Sequence, residues 1–458
     1  MSNGKKVAIC HYRVGKTDGV SLEIKKRKKI LEFHGCEVQL IAGSRSRSAD
    51  HVINELEWED GAISTIKENG FADFGRKDFN DRELKNKILK VSDIIERKLE
   101  TIQEKENFDY FLVHNIFCFG GHIAAARAFN NIITRYKIPT IATHHDFFWE
   151  RKEFKTPCNG FLKEYVNTYL PPRNDLIKHT VLSSIAQREL KKRRDIDSVV
   201  IPDIFDFSQD PWREDKFNQD LLGRIGVKDN DLLFLQATRI VPRKGIELAI
   251  DFASAFNKDM ERLRGKTLYN GKKIDADSRL VLVLAGYYED SDKDYYLKIK
   301  EVAQDSGVEV KFVNHHIQAR RSYNNGERKF SLWDIYVYSD LVTFPSIWEG
   351  WGNQFIEAVF ARKPVVVWEY PVFKEDIKQE GYQIISLGDK LLFDREEGLR
   401  RLPPEHLKGA IETAKEWLLD PDLDKVLADN FDIGEKNHGF QVVEDFLVQE
   451  LGLDILDK

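Results

Sequence analysis

Two glutamates, two cations and a group of glycines in the second half of the chain have the types and spacing to hold a phosphorylated polyol. The cations come first, in Gln236-Ala237-Thr238-Arg239-Ile240-Val241-Pro242-Arg243-Lys244-Gly245, between an apolar run and an amphipathic helix predicted from Ile246. Arg239 and Lys244 suit a diphosphate, since a guanidinium is a planar multidentate donor and an ammonium a compact charge. The glutamates follow in Pro345-Ser346-Ile347-Trp348-Glu349-Gly350-Trp351-Gly352-Asn353-Gln354-Phe355-Ile356-Glu357-Ala358. Gly350 and Gly352 suit a tight turn whose backbone amides approach a ligand. The helix predicted from Asn353 would aim its N-terminus at phosphate, with Glu357 about one turn in. Carboxylates beside a phosphate repel it, so Glu349 and Glu357 are better suited to accept hydrogen bonds from sugar hydroxyls. The alternative is a solvated basic loop, with one glutamate capping the helix and the other paired with a lysine.

The first half contributes two loops. His11-Tyr12-Arg13-Val14-Gly15-Lys16-Thr17-Asp18-Gly19-Val20-Ser21 precedes a predicted helix and lacks the Gly-Lys-Ser/Thr order of a P-loop. The second is His144-His145-Asp146-Phe147-Phe148-Trp149-Glu150-Arg151-Lys152. In it Trp149 could stack on a sugar, and Arg151 and Lys152 could bind an acidic group, which assigns the segment to an acceptor. His144 reads equally well as a packing histidine beside aromatic residues.

The elements that must carry these loops are short apolar runs between longer amphipathic stretches. The runs are Val7 to Cys10, Glu37 to Ala42, Tyr110 to Val113, Thr140 to Thr143 and Val199 to Ile201. The pattern restarts with Leu232 to Leu235, Arg279 to Leu284, Val308 to Phe312, Leu341 to Phe344 and Pro364 to Val367. Such runs are buried parallel strands, and the restart predicts two α/β units with ligands beyond the carboxyl ends of the strands. The expected division is 1–206, 207–439 and a last helix, 440–458, that packs on one of the units, the first being the expected partner. Arg262 to Ser278, rich in Gly, Lys and Asp, reads as an exposed excursion.

The 458 residues are 42% hydrophobic and 32% charged, the balance of a folded chain long enough for two domains. A net charge of -6 gives no general attraction to nucleic acid. No apolar run approaches a membrane span and no signal peptide is visible, so a cytoplasmic protein is expected. Four scattered cysteines fit reduced thiols. No metal is expected: Asp195 and Asp197, Asp275 and Asp277, and Asp290 and Asp292 read as solvated surface, and His315-His316 has no partners at ligand spacing. Lys25 to Lys29 reads as a solvated helix face rather than a membrane contact. Oligomeric state is not written in these features.

Taken in order, the strand, Pro345-Ser346, Glu349-Gly350, Gly352, Glu357-Ala358 and Pro364-Val365-Val366 resemble the Glu-x7-Glu signature of retaining GT-B glycosyltransferases, particularly glycosyltransferase family 4. That resemblance implies two Rossmann-like domains facing a cleft, acceptor-binding first and donor-binding second. It implies transfer of a hexosyl group from a nucleotide sugar, UDP- or GDP-linked, to a hydroxyl of a small sugar, polyol or phosphorylated or acidic acceptor, with retained configuration, no metal and no obligatory cofactor. By the same resemblance Glu349 contacts the transferred sugar and Glu357 the ribose. Arg239 and Lys244 stabilise the departing diphosphate, with help from backbone amides of Gly350, Trp351, Gly352, Asn353 and Gln354. Gly15 and Gly19 belong to a loop closing over donor and acceptor, a loose match. His145 and Asp146 match the family's His-Asp element, where a histidine would bond the transferred sugar or shield charge at its anomeric carbon. The rival expectations are a phosphorylase or epimerase of similar shape, which lacks a visible cofactor site here, and a catalytically silent nucleotide-sugar binder.

Overall fold

Alternation along single strands decides where the cores lie. In β1 (Lys6–Cys10) Val7 and Ile9 enter one apolar core while Ala8 and Cys10 enter another. A strand buried on both faces must read as a continuous apolar run, as this one does. The protein was studied as a computed structural model, which describes residues 4–15, 18–44, 46, 48–318, 320–324, 326–394 and 398–453. Lys16 and Thr17 of the glycine-containing loop lie outside them. The chain forms two units, residues 1–204 with 440–458, and residues 205–439.

In the first unit β1 is joined by β2 (Glu37–Ala42), β3 (His51–Val52), β4 (Tyr110–His114), β5 (Thr140–His144), β6 (Ile177–Val181) and β7 (Ser198–Val200). All pair in parallel, in the order β3-β2-β1-β4-β5-β6-β7. Its helices are α1 (Gly19–Phe33), α2 (Gly61–Gly70), α3 (Asp81–Glu106), α4 (Ile123–Tyr136), α5 (Gly160–Tyr169) and α6 (Ser184–Arg194). The long α3 begins in a capping box between Asn80 and Glu83 and buries Leu84, Ile88, Ile95 and Leu99, a stripe at helical spacing. It packs on α4, from which Arg127, Asn131 and Arg135 donate to Asp93, Glu96 and Glu100.

The second unit repeats the pattern with β8 (Leu232–Gln236), β9 (Leu280–Leu284) and β10 (Glu309–Phe312). A small three-stranded sheet follows, β11 (Ile317–Gln318), β12 (Ser322–Asn324) and β13 (Glu327–Ser331), and then β14 (Leu341–Phe344), β15 (Val365–Val367) and β16 (Ile385–Ser386) return to the main sheet. Its order is β10-β9-β8-β14-β15-β16, again all parallel. β17 (Leu392–Asp394) and β18 (Leu399–Arg401) form a hairpin. The helices are α7 (Leu221–Ile225), α8 (Ile246–Asn257), α9 (Lys293–Asp305), α10 (Leu332–Tyr338), α11 (Asn353–Phe360), α12 (Pro404–Leu419) and α13 (Leu423–His438). The excursion expected from Arg262 to Ser278 is exposed along much of its length but anchored, by buried Leu268 and Ile274 and by an ion pair of 2.7 Å from Lys272 to buried Asp340.

The chain then returns to the first unit as α14 (Phe440–Leu451), which lies on α1 and shares a core with it through Val443, Phe446 and Leu447 against Ile24, Ile30 and Leu31. This corrects the reading of Lys25 to Lys29 as a solvated face. With α14 on one side and the sheet on another, Arg27 is only 1% exposed, Lys26 bonds the carbonyl of Ile204, and Lys29 lies 5.2 Å from the ring centre of Phe440.

Candidate active site

Each parallel sheet has one place where the chain leaves in opposite directions from neighbouring strands. In the second unit it lies between β8 and β14, and the two loops carrying the predicted cations and glutamates follow those strands. A crevice at the carboxyl ends of strands is the default ligand site of such sheets.

The loops are laced together by backbone. The N–H of Ile347 donates to the carbonyl of Arg243 at 2.8 Å. Gly245, at φ +59°, sits so close to the other loop that a Cβ would lie 2.5 Å from the carbonyl oxygen of Pro345. Side chains complete the junction. Lys244 is 4% exposed and its Nζ bonds Glu349 Oε1, with Gln354 Oε1 at 3.3 Å. Arg243 Nη1 donates to the other oxygen, Oε2, at 2.7 Å. Burial alone would raise the Glu349 pKa, but Lys244 and Arg243 outweigh it and hold the carboxyl below its ordinary range. Burial lowers the Lys244 pKa, opposed by the same carboxylate.

The remaining residues flank this junction. Arg239 turns to Glu289, on the loop after β9, at 2.6 Å. Gly352 has φ +143°, and a Cβ there would meet Tyr370 Oη at 2.3 Å, so the turn into α11 admits only glycine without displacement. Gly350 lies in the same turn, and Asn353 opens α11. Trp351 is buried beside His438, and its carbonyl accepts from the Tyr370 hydroxyl. Glu357, in the second turn of α11, accepts from Tyr336 Oη at 3.4 Å. Arg243 was not among the sequence candidates, although it adjoins Lys244 in the same basic loop.

In the first unit the chain diverges between β1 and β4, and histidines sit at the ends of three strands. His11 follows β1, and its Nδ1 lies 2.9 Å from the carbonyl oxygen of His114, the last residue of β4. His114 Nδ1 is 3.2 Å from Nε2 of His145, which follows β5. The other ring nitrogen of His145, Nδ1, is 3.8 Å from Asp203 Oδ1, and the backbone N–H of His145 donates to Asn115 Oδ1 at 2.9 Å. Burial first, then the positive charge of Arg27, lowers the His145 pKa to about 3, so the ring is neutral at ordinary pH. Both of its ring nitrogens face protein groups, where the sequence reading aimed the ring at a sugar. His144 is a packing residue, stacked on His179 with Nε2 2.9 Å from its Nδ1.

The acceptor candidates are differently disposed. Asp146 accepts from Arg151 Nε at 2.7 Å, so these two neutralise each other, while Lys152 is exposed. Trp149, expected to stack on a sugar, is enclosed by protein groups. Its indole lies 4.3 Å from Phe147 at an interplanar angle of 8°, has the guanidinium groups of Arg193 and Arg194 at 5.6 Å, and is 8% exposed. An aromatic cluster with nearby cations already surrounds it, a neighbourhood that sequence spacing does not reveal. Gly15 has φ +75°, and Gly19 opens α1 behind Asp18, whose carboxylate accepts from the N–H of Ser21 at 3.2 Å. Among the described residues no three His, Cys, Asp or Glu side chains gather to hold a metal; Asp195 and Asp197 each pair with Lys191, at 3.1 and 3.0 Å. Nor, among them, is any helix long and apolar enough to cross a membrane.

Residues 218–394, which include both site loops of the second unit, match the family described as glycosyl transferases group 1. The chain is 40% identical over 415 residues to the mannosylglucosylglycerate synthase of Petrotoga mobilis, covering 91% of this chain and 94% of that one. It is 35% identical over 452 residues to the enzyme of the same name from Thermotoga maritima, covering 97% and 99%. A glycosyltransferase from Rickettsia africae superimposes with a TM-score of 0.60 at 14% identity, covering 98% of this chain and 99% of that structure, a likeness of fold. With its two parallel-sheet units and these relatives, the chain belongs to the GT-B glycosyltransferases and is a glycosyltransferase.

Proposed function

We propose that this chain transfers a mannosyl group from a nucleotide sugar, GDP- or UDP-linked, to a hydroxyl of a glucosylglycerate-type acceptor, with retention at the anomeric carbon and without an obligatory metal. The observation that carries this reading is the 40% and 35% identity to two mannosylglucosylglycerate synthases along nearly the whole of each chain. The chemistry of the second unit is compatible with it. Two cations held against one carboxylate leave net positive charge beside the N-terminus of α11, where a departing diphosphate would gain most. In this reading Lys244 and Arg243 take the diphosphate oxygens, Arg239 swings from Glu289 to join them, and Glu349, relieved of part of its pairing, accepts from sugar hydroxyls. The amides of Gly350 to Gln354 add donors, and Glu357 holds the ribose.

The glycosyl bond to the diphosphate breaks as the acceptor oxygen attacks from the same face, and the acceptor proton passes to the leaving phosphate oxygen. His145 is kept neutral, so it would add no repulsion to positive charge developing on a sugar. Arg151 and Lys152 are the cations offered to the glycerate carboxylate, with Asp146 as the charge Arg151 must leave.

The test is incubation of the purified chain with glucosylglycerate and either GDP-mannose or UDP-mannose, with and without EDTA, and proton NMR of the product. An α-mannoside formed equally well in EDTA is expected. A β-mannoside, or transfer only after metal is restored, overturns the corresponding part of the reading; no transfer from either donor overturns the whole.

A further inference from the structure

The first unit contains a second concentration of cations around empty space, made of none of the residues proposed for transfer. α5 ends where the chain turns toward β6, and α6 ends just before β7. Their C-termini therefore lie at the amino-terminal edge of the sheet, opposite the edge that presents His145. There Asn167, Thr168, Pro171, Arg173, Arg193 and Arg194 line a cavity of about 410 Å³. Three of these are arginines and none is acidic.

A helix C-terminus favours cations, and that suffices for Lys191 and Lys192 on the last turn of α6. It does not explain three guanidinium groups around one void. Arg173 Nε is fixed by the carbonyl of Arg194 at 2.7 Å and Arg194 Nη1 by Asn167 Oδ1 at 2.6 Å, both neutral acceptors. Arg193 is paired with Glu189 at 2.6 Å, and Asp195 lies 4.0 Å from Arg173 while also serving Lys191. Arg194 Nε is buried and has no hydrogen-bond partner. Burial, then the charges of Arg193 and Arg173, pull the Arg194 pKa down, so the three repel one another as they stand. A multidentate anion would relieve that repulsion, and guanidinium forks match phosphate oxygens.

We propose that this pocket binds a phosphate dianion, free or carried by a small phosphorylated polyol, and that its occupancy is transmitted to the segment from His144 to Lys152 through Trp149. The link is direct. The guanidinium groups of Arg193 and Arg194 that border the cavity also lie 5.6 Å from the Trp149 ring, which is stacked on Phe147. An anion that draws those groups toward the cavity weakens their hold on the indole.

The experiment is calorimetric titration of the full chain with inorganic phosphate and, separately, with glycerol 3-phosphate. Nucleoside diphosphate is present throughout to occupy the donor loops, and tryptophan fluorescence is recorded in parallel. Binding is expected, with a fluorescence change that Trp149→Phe abolishes. An Arg173→Gln, Arg193→Gln double variant, altered only at exposed side chains, should keep its melting temperature and its transferase turnover while binding about tenfold or more weakly. Absence of binding in the millimolar range, or equal binding by the double variant, overturns the site. Binding without a fluorescence change overturns the link to Trp149. Binding of glycerol 3-phosphate at least as tightly as inorganic phosphate identifies the carried form as the ligand, and the reverse order identifies the free ion.

Discussion

Glu349 is held between two cations, and its removal should separate its two contributions. Replacing it with Leu leaves the ammonium of Lys244 buried without its charge partner, a loss of about 3–5 kcal/mol by the usual cost of breaking a buried pair. Urea denaturation measures this, and an unchanged midpoint would falsify the view that the pair is buried. Lys244→Ala should retain the fold but lower kcat by roughly a hundredfold to a thousandfold, the scale of losing one donor aimed at developing charge. Arg243→Gln should cost less, about tenfold, because Arg243 is half-exposed and solvent competes for its charge. Steady-state kinetics with saturating donor would show the order; a milder effect at Lys244 than at Arg243 would reverse the assignment. The types and order of Arg239, Lys244, Glu349 and Glu357 were readable from the chain. A glutamate paired with a lysine was the alternative reading there; that the lysine is Lys244 and that Arg243 shares the same carboxylate was not readable, because it depends on β8 and β14 being neighbours, a fact of sheet order.

At the scale of elements, strands that read as apolar runs were legible, and β6 was not. β6 reads Ile177-Lys178-His179-Thr180-Val181, where buried His179 stacks on His144 and buried Thr180 bonds Thr143 at 3.0 Å, so its core side chains break the apolar run. α1 fails for the opposite reason: its basic run looks solvated, yet Arg27 faces inward beneath it. The turn entering α11 is where local geometry and ligand approach coincide. Gly352→Ala must either abandon φ +143° or push the Tyr370 hydroxyl away, and the expected cost is about 1–3 kcal/mol. Because the turn also sets the N-terminus of α11, nucleoside diphosphate affinity should fall with it. Calorimetry of the diphosphate against the variant checks this, and unchanged affinity would detach the turn from the donor site.

At the scale of the molecule, the first unit carries a set of histidines that fold without their protons. Burial lowers the pKa of His11 to about 4, of His122 to about 4, of His145 to about 3 and of His179 to about 4, and holds those of His114 and His144 well below the ordinary histidine range. For each, the unfolded chain binds the proton first. The stability they permit is therefore present above about pH 6.5 and is lost as pH falls toward 4. The melting temperature should drop steeply between pH 7 and pH 5, and a flat profile over that interval would show that the histidines are not buried as neutral rings. A different consequence follows from α14. Its place on α1 means that the first unit is finished by residues made after the whole of the second. At about 5–20 residues per second, synthesis of the intervening 205–439 stretch takes some tens of seconds, during which Ile24, Ile30 and Leu31 have no cover from Phe446 and Leu447. The nascent chain thus spends that interval with an adhesive stripe on α1, and the moment at which the stripe is covered is set by the position of α14.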